Sequence, residues 1–511
     1  MKHHPCNSHM IRRISALVLL LSLSLTCFIS AAADTKPQEV SVDPIVIQNP
    51  DFIRGMDVSS VLSLEQSGVS YRTADGEEQD LLRILAENGV NYIRVRVWND
   101  PFDSAGNGYG GGNNDVNTAA EIGRRAAKYG MKLLVDLHYS DFWADPGKQK
   151  APKAWSGMSL DEKQNAVREF TADALKTISD AGAQIGMVQI GNETTNGIAG
   201  EYSWQNMAKI FNAGSAAVRE FSPDVKVAIH FTDPQNTEFI KSLADFLHDY
   251  QVDYDVFATS YYPYWHGSLS NLKEVLGYAA EAYGKYVMVA ETSYAYTLSD
   301  SDGHPNTVSE YSNNSGNDLL WDFSPQGQAD EVRAVMKAVN SVEGGLGLGV
   351  FYWEGAWITV CDATGLSGDA FSAQLERNKE KWERDGSGWA SSYSADFDPD
   401  DAGRWYGGSA VDNQAFFAPD GTALPSLRVF ADVIDGGFLL GDADGDNNVD
   451  IPDVTVIRRI CARMDVGLDK TAVRRGDIDG DGILDIPDAT LIQRYLARIQ
   501  TSYPIGLWTT P

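Results

Sequence analysis

The sequence is poor in cysteine and in positive charge. It has four cysteines, and two of them, Cys6 and Cys27, lie in an N-terminal segment that we expect to be removed. The other two, Cys361 and Cys461, fall in different predicted domains, so a disulfide framework is not the stabilising device. With 71 acidic and 41 basic residues, the formal charge is −30. Such a surface repels nucleic acid and anionic lipid, and it suits a neutral substrate and calcium ions.

Long apolar runs are also scarce, and the one at the N-terminus reads as an export signal. Arg12 and Arg13 precede the apolar stretch 14–29, and three alanines at 31–33 offer a cleavage site. This order predicts a secretory signal peptide over 1–33 and a secreted, extracellular protein with no membrane attachment after cleavage. The alternatives are a retained N-terminal anchor and, as a minor one, lipidation at Cys27. A polar leader is predicted over 34–50.

From residue 51 to 434, short apolar runs alternate with amphipathic segments such as Leu160–Ala181. Eight runs of this kind imply parallel strands and predict an α/β fold, a (β/α)8 barrel with long loops. An open doubly wound sheet is the rival. The runs are Phe52–Val58, Tyr92–Trp98, Lys132–His138, Met187–Gly191, Val225–Phe231, Val256–Tyr261, Tyr286–Ala290 and Leu346–Trp353.

Polar and aromatic residues stand at the ends of these runs, where barrel enzymes carry their chemistry. Glu193 ends the fourth run and Glu291 the seventh, and paired carboxylates suit the cleavage of glycosidic bonds. Aromatic rings suit stacking on the apolar faces of sugars. The other candidates for substrate contact are Asn192, Arg94, Arg96, Trp98, Asp136, His138, Tyr261 and Trp353.

Residues 52–433 resemble glycoside hydrolase family 53, the endo-β-1,4-galactanases. The resemblance rests on the segments 52–57, 94–98, 138–146, 191–193, 290–292 and 352–354, of which 138–146 is the most specific. It implies that Glu193 is the acid/base and Glu291 the nucleophile of a retaining mechanism that needs no cofactor for its chemistry. It also implies that Asn192 holds the sugar 2-hydroxyl and that Trp353 forms the floor of subsite −1.

The same resemblance implies partners for the nucleophile. Arg94 or Arg96 would pair with Glu291 and keep it ionised, and Tyr261 could hydrogen-bond the same carboxylate. Asp136 and His138 would line the site. For an acidic turn after the seventh run, the resemblance implies one calcium ion, with candidate ligands Asp300, Asp302, His304 through its carbonyl, and Asn306.

Beyond a linker over 435–440, the composition changes to two Asp/Gly-rich loops, each followed by a helical stretch. The loops repeat with an offset of 477 − 442 = 35 residues and have the ligand spacing of calcium loops, although no entering helix is evident before either. The predicted ligands of two calcium ions are Asp442, Asp444, Asp446, Asn448, Asp450 and Asp453, and then Asp477, Asp479, Asp481, Ile483, Asp485 and Asp488.

Residues 441–502 resemble the dockerin of cellulosomal enzymes, a small all-α calcium-binding domain that docks on a cohesin module of a scaffold protein; 503–511 would be a tail. Ile451-Pro452 and Ile486-Pro487 occupy the recognition positions in both halves. This near-symmetry predicts that either half can dock. An independent calcium buffer is the alternative.

The whole sequence therefore predicts a galactanase that acts on the galactan side chains of pectin (arabinogalactan type I) and is attached to a cellulosome-like scaffold. Two alternatives remain at this stage. One is a mannanase or xylanase of the same clan, and the other is a non-catalytic polysaccharide-binding subunit.

Overall fold

The computed structural model describes residues 40–309, 319–399, 407–434, 438–446, 448–464, 466, 472–481 and 483–509. The predicted signal peptide, 1–33, lies outside the described residues, as do parts of the predicted leader, linker and tail. Within the described part of the chain, no helix has the length and apolar content needed to span a bilayer.

Eight parallel strands close into a barrel in chain order, because β1 pairs with β2 on one side and with β8 on the other. The predicted barrel is thereby confirmed, and the open sheet is excluded. The strands are β1 Ile53–Asp57, β2 Tyr92–Val97, β3 Lys132–Leu137, β4 Ile185–Ile190, β5 Lys226–Phe231, β6 Val256–Ser260, β7 Tyr286–Thr292 and β8 Gly347–Tyr352.

Helices surround the barrel, and several begin where an Asp or Ser side chain caps the first turn. Asp80, Asp115, Ser159 and Ser203 each accept a hydrogen bond from a backbone N–H in the first turn of the helix that follows. The helices of this part are α1 Val61–Gln66, α2 Leu81–Glu87, α3 Val116–Ala127, α4 Leu160–Asp180, α5 Trp204–Phe221, α6 Thr237–Asp249, α7 Leu269–Tyr283, α8 Pro325–Asn340, α9 Gly368–Asp385 and α10 Val429–Asp432.

The barrel interior changes from apolar to polar along each strand. In β2 the inward positions, two residues apart, are Tyr92, Arg94 and then Arg96, and in β3 they begin with Leu134 and Asp136. The apolar members form a small inner core with residues of the other strands, whereas the outward positions pack under the helices. Polar side chains are therefore concentrated at the carboxyl ends of the strands.

The described part of the predicted leader begins at residue 40 and contacts the end of the barrel domain. Ile45 is only 6% exposed, and its N–H donates to the carbonyl of Val433 at 2.8 Å. Ile45 also forms a parallel bridge with Ile434. The segment therefore packs on the barrel where the chain leaves it.

The C-terminal part has its own core, formed by residues such as Val454, Ile457, Ala489 and Ile492. Its helices are α11 Ile451–Cys461, α12 Ala472–Gly476 and α13 Ile486–Leu496. The short α12 precedes the second loop, so the prediction of no entering helix is wrong there. Two short strands, β9 Phe438–Leu439 and β10 Trp508–Thr509, pair antiparallel and join the ends of this module. The predicted linker and tail are thus paired with each other.

Candidate active site

A cleft of about 440 Å³ opens at the carboxyl ends of the barrel strands and contains both predicted catalytic glutamates. The predicted residues that line it are Arg94, Arg96, His138, Asn192, Glu193, Glu291 and Trp353. The polar ends of separate strands therefore meet around one sugar-sized space.

Glu291 lies within β7, one residue before its end, and is 6% exposed. Its Oε1 lies 2.8 Å from Nη2 of Arg94, and its Oε2 accepts a hydrogen bond of 3.0 Å from the hydroxyl of Tyr262. A cation and a hydroxyl donor on the two oxygens favour the ionised form of this carboxylate.

Arg94 is held in place by further carboxylates below the cleft. Its Nη1 lies 2.9 Å from Asp57, and its Nη2 lies 2.8 Å from Asp136, all three side chains being buried. The same Nη2 donates to Oδ1 of Asn192 at 2.9 Å. Arg94 therefore positions the side chains of both Glu291 and Asn192, the residue that precedes Glu193.

Glu193 has a different environment. Its Oε1 accepts a hydrogen bond of 2.6 Å from Ser260, whose hydroxyl lies 2.9 Å from Nε2 of His230. Burial, and after it the charge of Arg94, lowers the pKa of His230 and so favours the neutral form of the ring. Glu193 itself has a φ of 44°, a left-handed conformation that is uncommon for a residue with a Cβ.

The two glutamates differ in the neighbouring charges that shift their pKa values. Burial, followed by the charge of Glu291, raises the pKa of Glu193 to about 8. Burial also raises the pKa of Glu291, but the adjacent Arg94 guanidinium opposes that rise. Near neutral pH, Glu193 is thus suited to donate a proton, and Glu291 has the cation that a charged group needs.

Arg96 contacts Glu354, at the end of β8, and does not pair with Glu291. Its guanidinium lies 4.5 Å from the ring centre of Trp143. Trp143 in turn stacks on Trp389 at 4.7 Å, and Trp353 lies 6.3 Å from Trp143. One wall of the cleft is therefore a group of indole rings held by a buried ion pair.

Three of the residues predicted to contact substrate do not line the cleft. Trp98 is fully buried and donates through Nε1 to Nδ1 of His138 at 3.1 Å. Asp136 is fully buried under Arg94 and accepts from Nε2 of His138. Tyr261 faces the helices, because strand alternation puts Ala258, Ser260 and Tyr262 on the inner face. Its hydroxyl donates to the carbonyl of Gly267, whereas the tyrosine hydroxyl that donates to Glu291 is that of Tyr262.

Other residues of the site were not singled out from the sequence. The only sequence signal for Ser260 is its position in β6, where the period of two places its side chain inside the barrel, directly before Tyr261 and Tyr262. Trp143 lies inside the diagnostic segment 138–146, whereas Trp389 lies in a loop after α9 that no strand marks. Both tryptophans line the cleft.

The comparisons with known proteins agree with this geometry. The family model of glycosyl hydrolase family 53 matches residues 53–430. The chain belongs to glycosyl hydrolase family 53. The endo-beta-1,4-galactanase of Bacillus subtilis (strain 168) is 54% identical over 398 residues, 78% of this chain and 90% of the relative. The arabinogalactan endo-beta-1,4-galactanase of Humicola insolens is 32% identical over 318 residues, which are 60% of this chain and 90% of the relative.

Among solved structures, the catalytic domain of a family 53 enzyme from Ignisphaera aggregans superposes with a TM-score of 0.67 at 37% identity. The superposition covers 78% of this chain and the whole of the Ignisphaera aggregans chain. The family 53 match ends at residue 430, so the C-terminal module lies outside it.

In this family 53 barrel, the acidic turn after β7 meets a second loop from far along the chain. Carboxylate oxygens of Asp300, Asp302 and Asp412 lie within 4.8 Å of one another. Asn306 donates to Asp412 at 2.7 Å, and its own Oδ1 is buried without a partner among the described residues. Three carboxylates and an unsatisfied amide oxygen fit a calcium ion, which accepts oxygen ligands only. Asp412 was missed, since nothing in the sequence links it to the turn.

The C-terminal loops also bring carboxylates together. Of the twelve predicted ligands, two groups of three have oxygens within 4.8 Å of one another: Asp442, Asp444 and Asp453, and Asp477, Asp479 and Asp488. Asp450 and Asp485 begin α11 and α13 as N-caps in the two halves. The loops fit calcium in donor type, and the two ions stay a prediction.

Proposed function

We propose that this chain is a retaining endo-β-1,4-galactanase that cleaves the galactan side chains of pectin. We further propose that it is secreted and attached to a cellulosome-like scaffold through its C-terminal dockerin. The observation that carries the enzymatic part is the pair of glutamates in one cleft, with a cation on Glu291 and none of the described cations paired with Glu193. The named activity of the relatives supports galactan as the substrate.

The proposed reaction has two steps. Glu193 gives its proton to the glycosidic oxygen, while Oε2 or Oε1 of Glu291 attacks the anomeric carbon and the bond to the leaving sugar breaks. Glu193, now charged, then takes a proton from water, whose oxygen displaces Glu291 from the anomeric carbon. Two inversions restore the β configuration. This mechanism requires carboxyl groups about 5–5.5 Å apart.

The attachment to a scaffold rests on the paired loop–helix units and on the sequence resemblance to dockerins. Asp442, Asp444 and Asp453 in one half, and the equivalent aspartates in the other, would hold calcium and fix the start of each helix. Asp300, Asp302, Asp412 and Asn306 would hold a third ion, which would join two loops beside the cleft. Cohesin is the proposed partner, and export rests on the sequence of residues 1–33.

Substrate choice is tested by reducing-end release from linear β-1,4-galactan, with β-mannan and xylan as controls. We expect hydrolysis of galactan alone. Faster hydrolysis of mannan or xylan would contradict the galactanase assignment, and binding without hydrolysis of any of the three would indicate a non-catalytic subunit.

The nucleophile is tested with Glu291→Ala in the presence of azide. Removing the attacking carboxylate should lower kcat by at least about a thousandfold. Azide fits the space left by the side chain and attacks the anomeric carbon, so the expected product is α-galactosyl azide. The matched control is Glu354→Ala, a buried glutamate that pairs with Arg96, which azide should not rescue. Rescue of neither variant, or of both, would remove Glu291 from its role.

A further inference from the structure

The C-terminal module contacts the barrel through its second half. The hydroxyl of Tyr495, on α13, donates to Oε1 of Glu87 at 3.0 Å and accepts from Nη2 of Arg83 at 3.3 Å. Both barrel residues belong to α2, and the Arg83 guanidinium also lies over the Tyr495 ring. The end of the second half is thus tied to the outside of the barrel.

The last strand adds to this contact. Trp508 donates through Nε1 to the carbonyl of Glu87 at 2.8 Å, and the Arg428 guanidinium lies 5.4 Å from a Trp508 ring centre. Leu507 packs against the barrel core, and a Cβ placed on Gly130 would come within 2.6 Å of it. Polar and apolar contacts therefore hold the module on the same side.

The two halves of the module differ at the residue that makes this contact. With the offset of 35 residues, Tyr495 corresponds to Ile460, which has no hydroxyl to pair with Glu87. Other exposed positions are alike: Ile451 and Ile486 are 59% and 51% exposed. The first half therefore lacks the group that ties the second half to the barrel.

The first half presents an apolar and basic face, and the equivalent residues of the second half, Ile486, Arg494, Arg498 and Ile499, are exposed as well. Ile451 at the start of α11 and Met464 after its end are 59% and 57% exposed, and Arg459 and Arg463 between them are also exposed. In the described part of the chain, the side-chain hydrogen bonds of α11 stay within the module. On a chain of net charge −30, this face is suited to a partner with acidic groups around an apolar centre.

We propose that the barrel engages the second half of the module in cis and, by lying beside it, excludes a partner from that half, so that the whole chain docks through the α11 face only. This inference rests on the proposed scaffold attachment, and it replaces docking by either half with docking by one. The orientation of the barrel relative to its scaffold is then fixed, because the module to which the partner binds does not rotate relative to the barrel.

The test uses the whole mature chain and immobilised recombinant cohesin modules, screened as a panel, with the tightest binder kept. The matched variants are Ile451→Glu and Ile486→Glu, at equivalent positions of the two halves. We expect Ile451→Glu to weaken binding more than tenfold and Ile486→Glu to change it less than twofold. A release variant, Arg83→Ala/Glu87→Ala/Leu507→Ser, removes contacts to the barrel and makes the second half available. In that variant, Ile451→Glu should weaken cohesin binding less than threefold.

Equal losses from the two single substitutions, or no loss from either, would overturn the inference. Small-angle scattering gives a second measurement without a partner: the parent should scatter as one compact particle, and the release variant should have a larger maximum dimension. An extended parent also overturns it. A compact parent that binds no cohesin refutes the scaffold attachment, and the choice of face with it. Galactan hydrolysis should be unchanged in all variants, which shows that the barrel of each is folded, and an unchanged unfolding transition of the module shows the same for the module.

Discussion

Arg94 contacts more of the charged side chains of the site than either glutamate does. It contacts Asp57, Asp136 and Glu291 while its own side chain is 1% exposed. Burial raises the pKa of Glu291, the charge of Arg94 opposes that rise, and the charges of Asp136 and Asp57 add to it. With several negative groups around one guanidinium, the neutral hydrogen bond from Tyr262 becomes important for keeping the nucleophile ionised.

We therefore predict a shifted pH profile for Tyr262→Phe. The Tyr262 hydroxyl lowers the pKa of Glu291 by binding its charged form, so its loss raises that pKa. Because Glu291 must be ionised to act as the proposed nucleophile, the acidic limb of kcat/KM against pH should move to higher pH, by about one unit for a hydrogen bond of about 1.5 kcal/mol. The measurement is the pH profile on galactan.

Tyr261→Phe is the matched control for this prediction. The Tyr261 hydroxyl donates to the carbonyl of Gly267, away from both carboxylates. Its acidic limb should stay where the parent has it. A shift in both variants, or in the control alone, would contradict the placement of Tyr262 on the nucleophile.

At the scale of strands and helices, close packing inside the barrel limits the size of the side chain at each inward position of a strand. Gly55 in β1 faces the ring of Phe351 in β8, and a Cβ added there would lie 2.2 Å from Phe351 Cδ1. We expect Gly55→Ala to destabilise the barrel by about 1–3 kcal/mol through overpacking. Thermal unfolding followed by circular dichroism should show a melting temperature several degrees lower.

Gly277 provides the opposite case within the same fold. It lies inside α7, and a Cβ there would meet no atom within 4 Å. Gly277→Ala should therefore raise stability, by about 0.5–1 kcal/mol, because alanine loses less backbone entropy in a helix. If both alanine variants melted at the same temperature, packing between β1 and β8 would not be the cause.

The strands were predictable because each is a short apolar run, and the site residues were predictable where a polar residue ends such a run. Glu193 and Glu291 were found in this way. The hydrogen bond to Glu291 was assigned to Tyr261, although the period of two in β6 selects Tyr262. Trp389 and Asp412 come from loops whose neighbours are set by tertiary packing, which no local pattern in the chain reports.

At the scale of the whole chain, acidic loops accumulate in two separate places, one on the barrel and one in the C-terminal module. Carboxylates within 4.8 Å of one another repel in the absence of a cation. Calcium that binds only the folded loops stabilises them by about 2.7 kcal/mol at a hundred times its Kd.

We therefore predict that EDTA lowers two unfolding transitions and that excess calcium restores both. Asp453→Ala/Asp488→Ala should lower only the transition of the module and leave galactan hydrolysis intact. Asp412→Ala should lower only that of the barrel. Differential scanning calorimetry of the chain from residue 34 onward, with and without calcium, gives these transitions. Identical traces in EDTA and in calcium would rule out bound calcium at these loops.

The group of indole rings in the cleft has an optical consequence. Trp143 and Trp389 stack at 4.7 Å, Trp357 and Trp389 at 5.8 Å, and Trp353 lies 6.0 Å from Trp389. At such spacings, excitation passes readily from one indole to the next. A sugar bound on Trp353, the proposed floor of the subsite, should alter the light emitted by the whole group, so we expect intrinsic fluorescence to report the binding of a galactan chain without a label and without turnover.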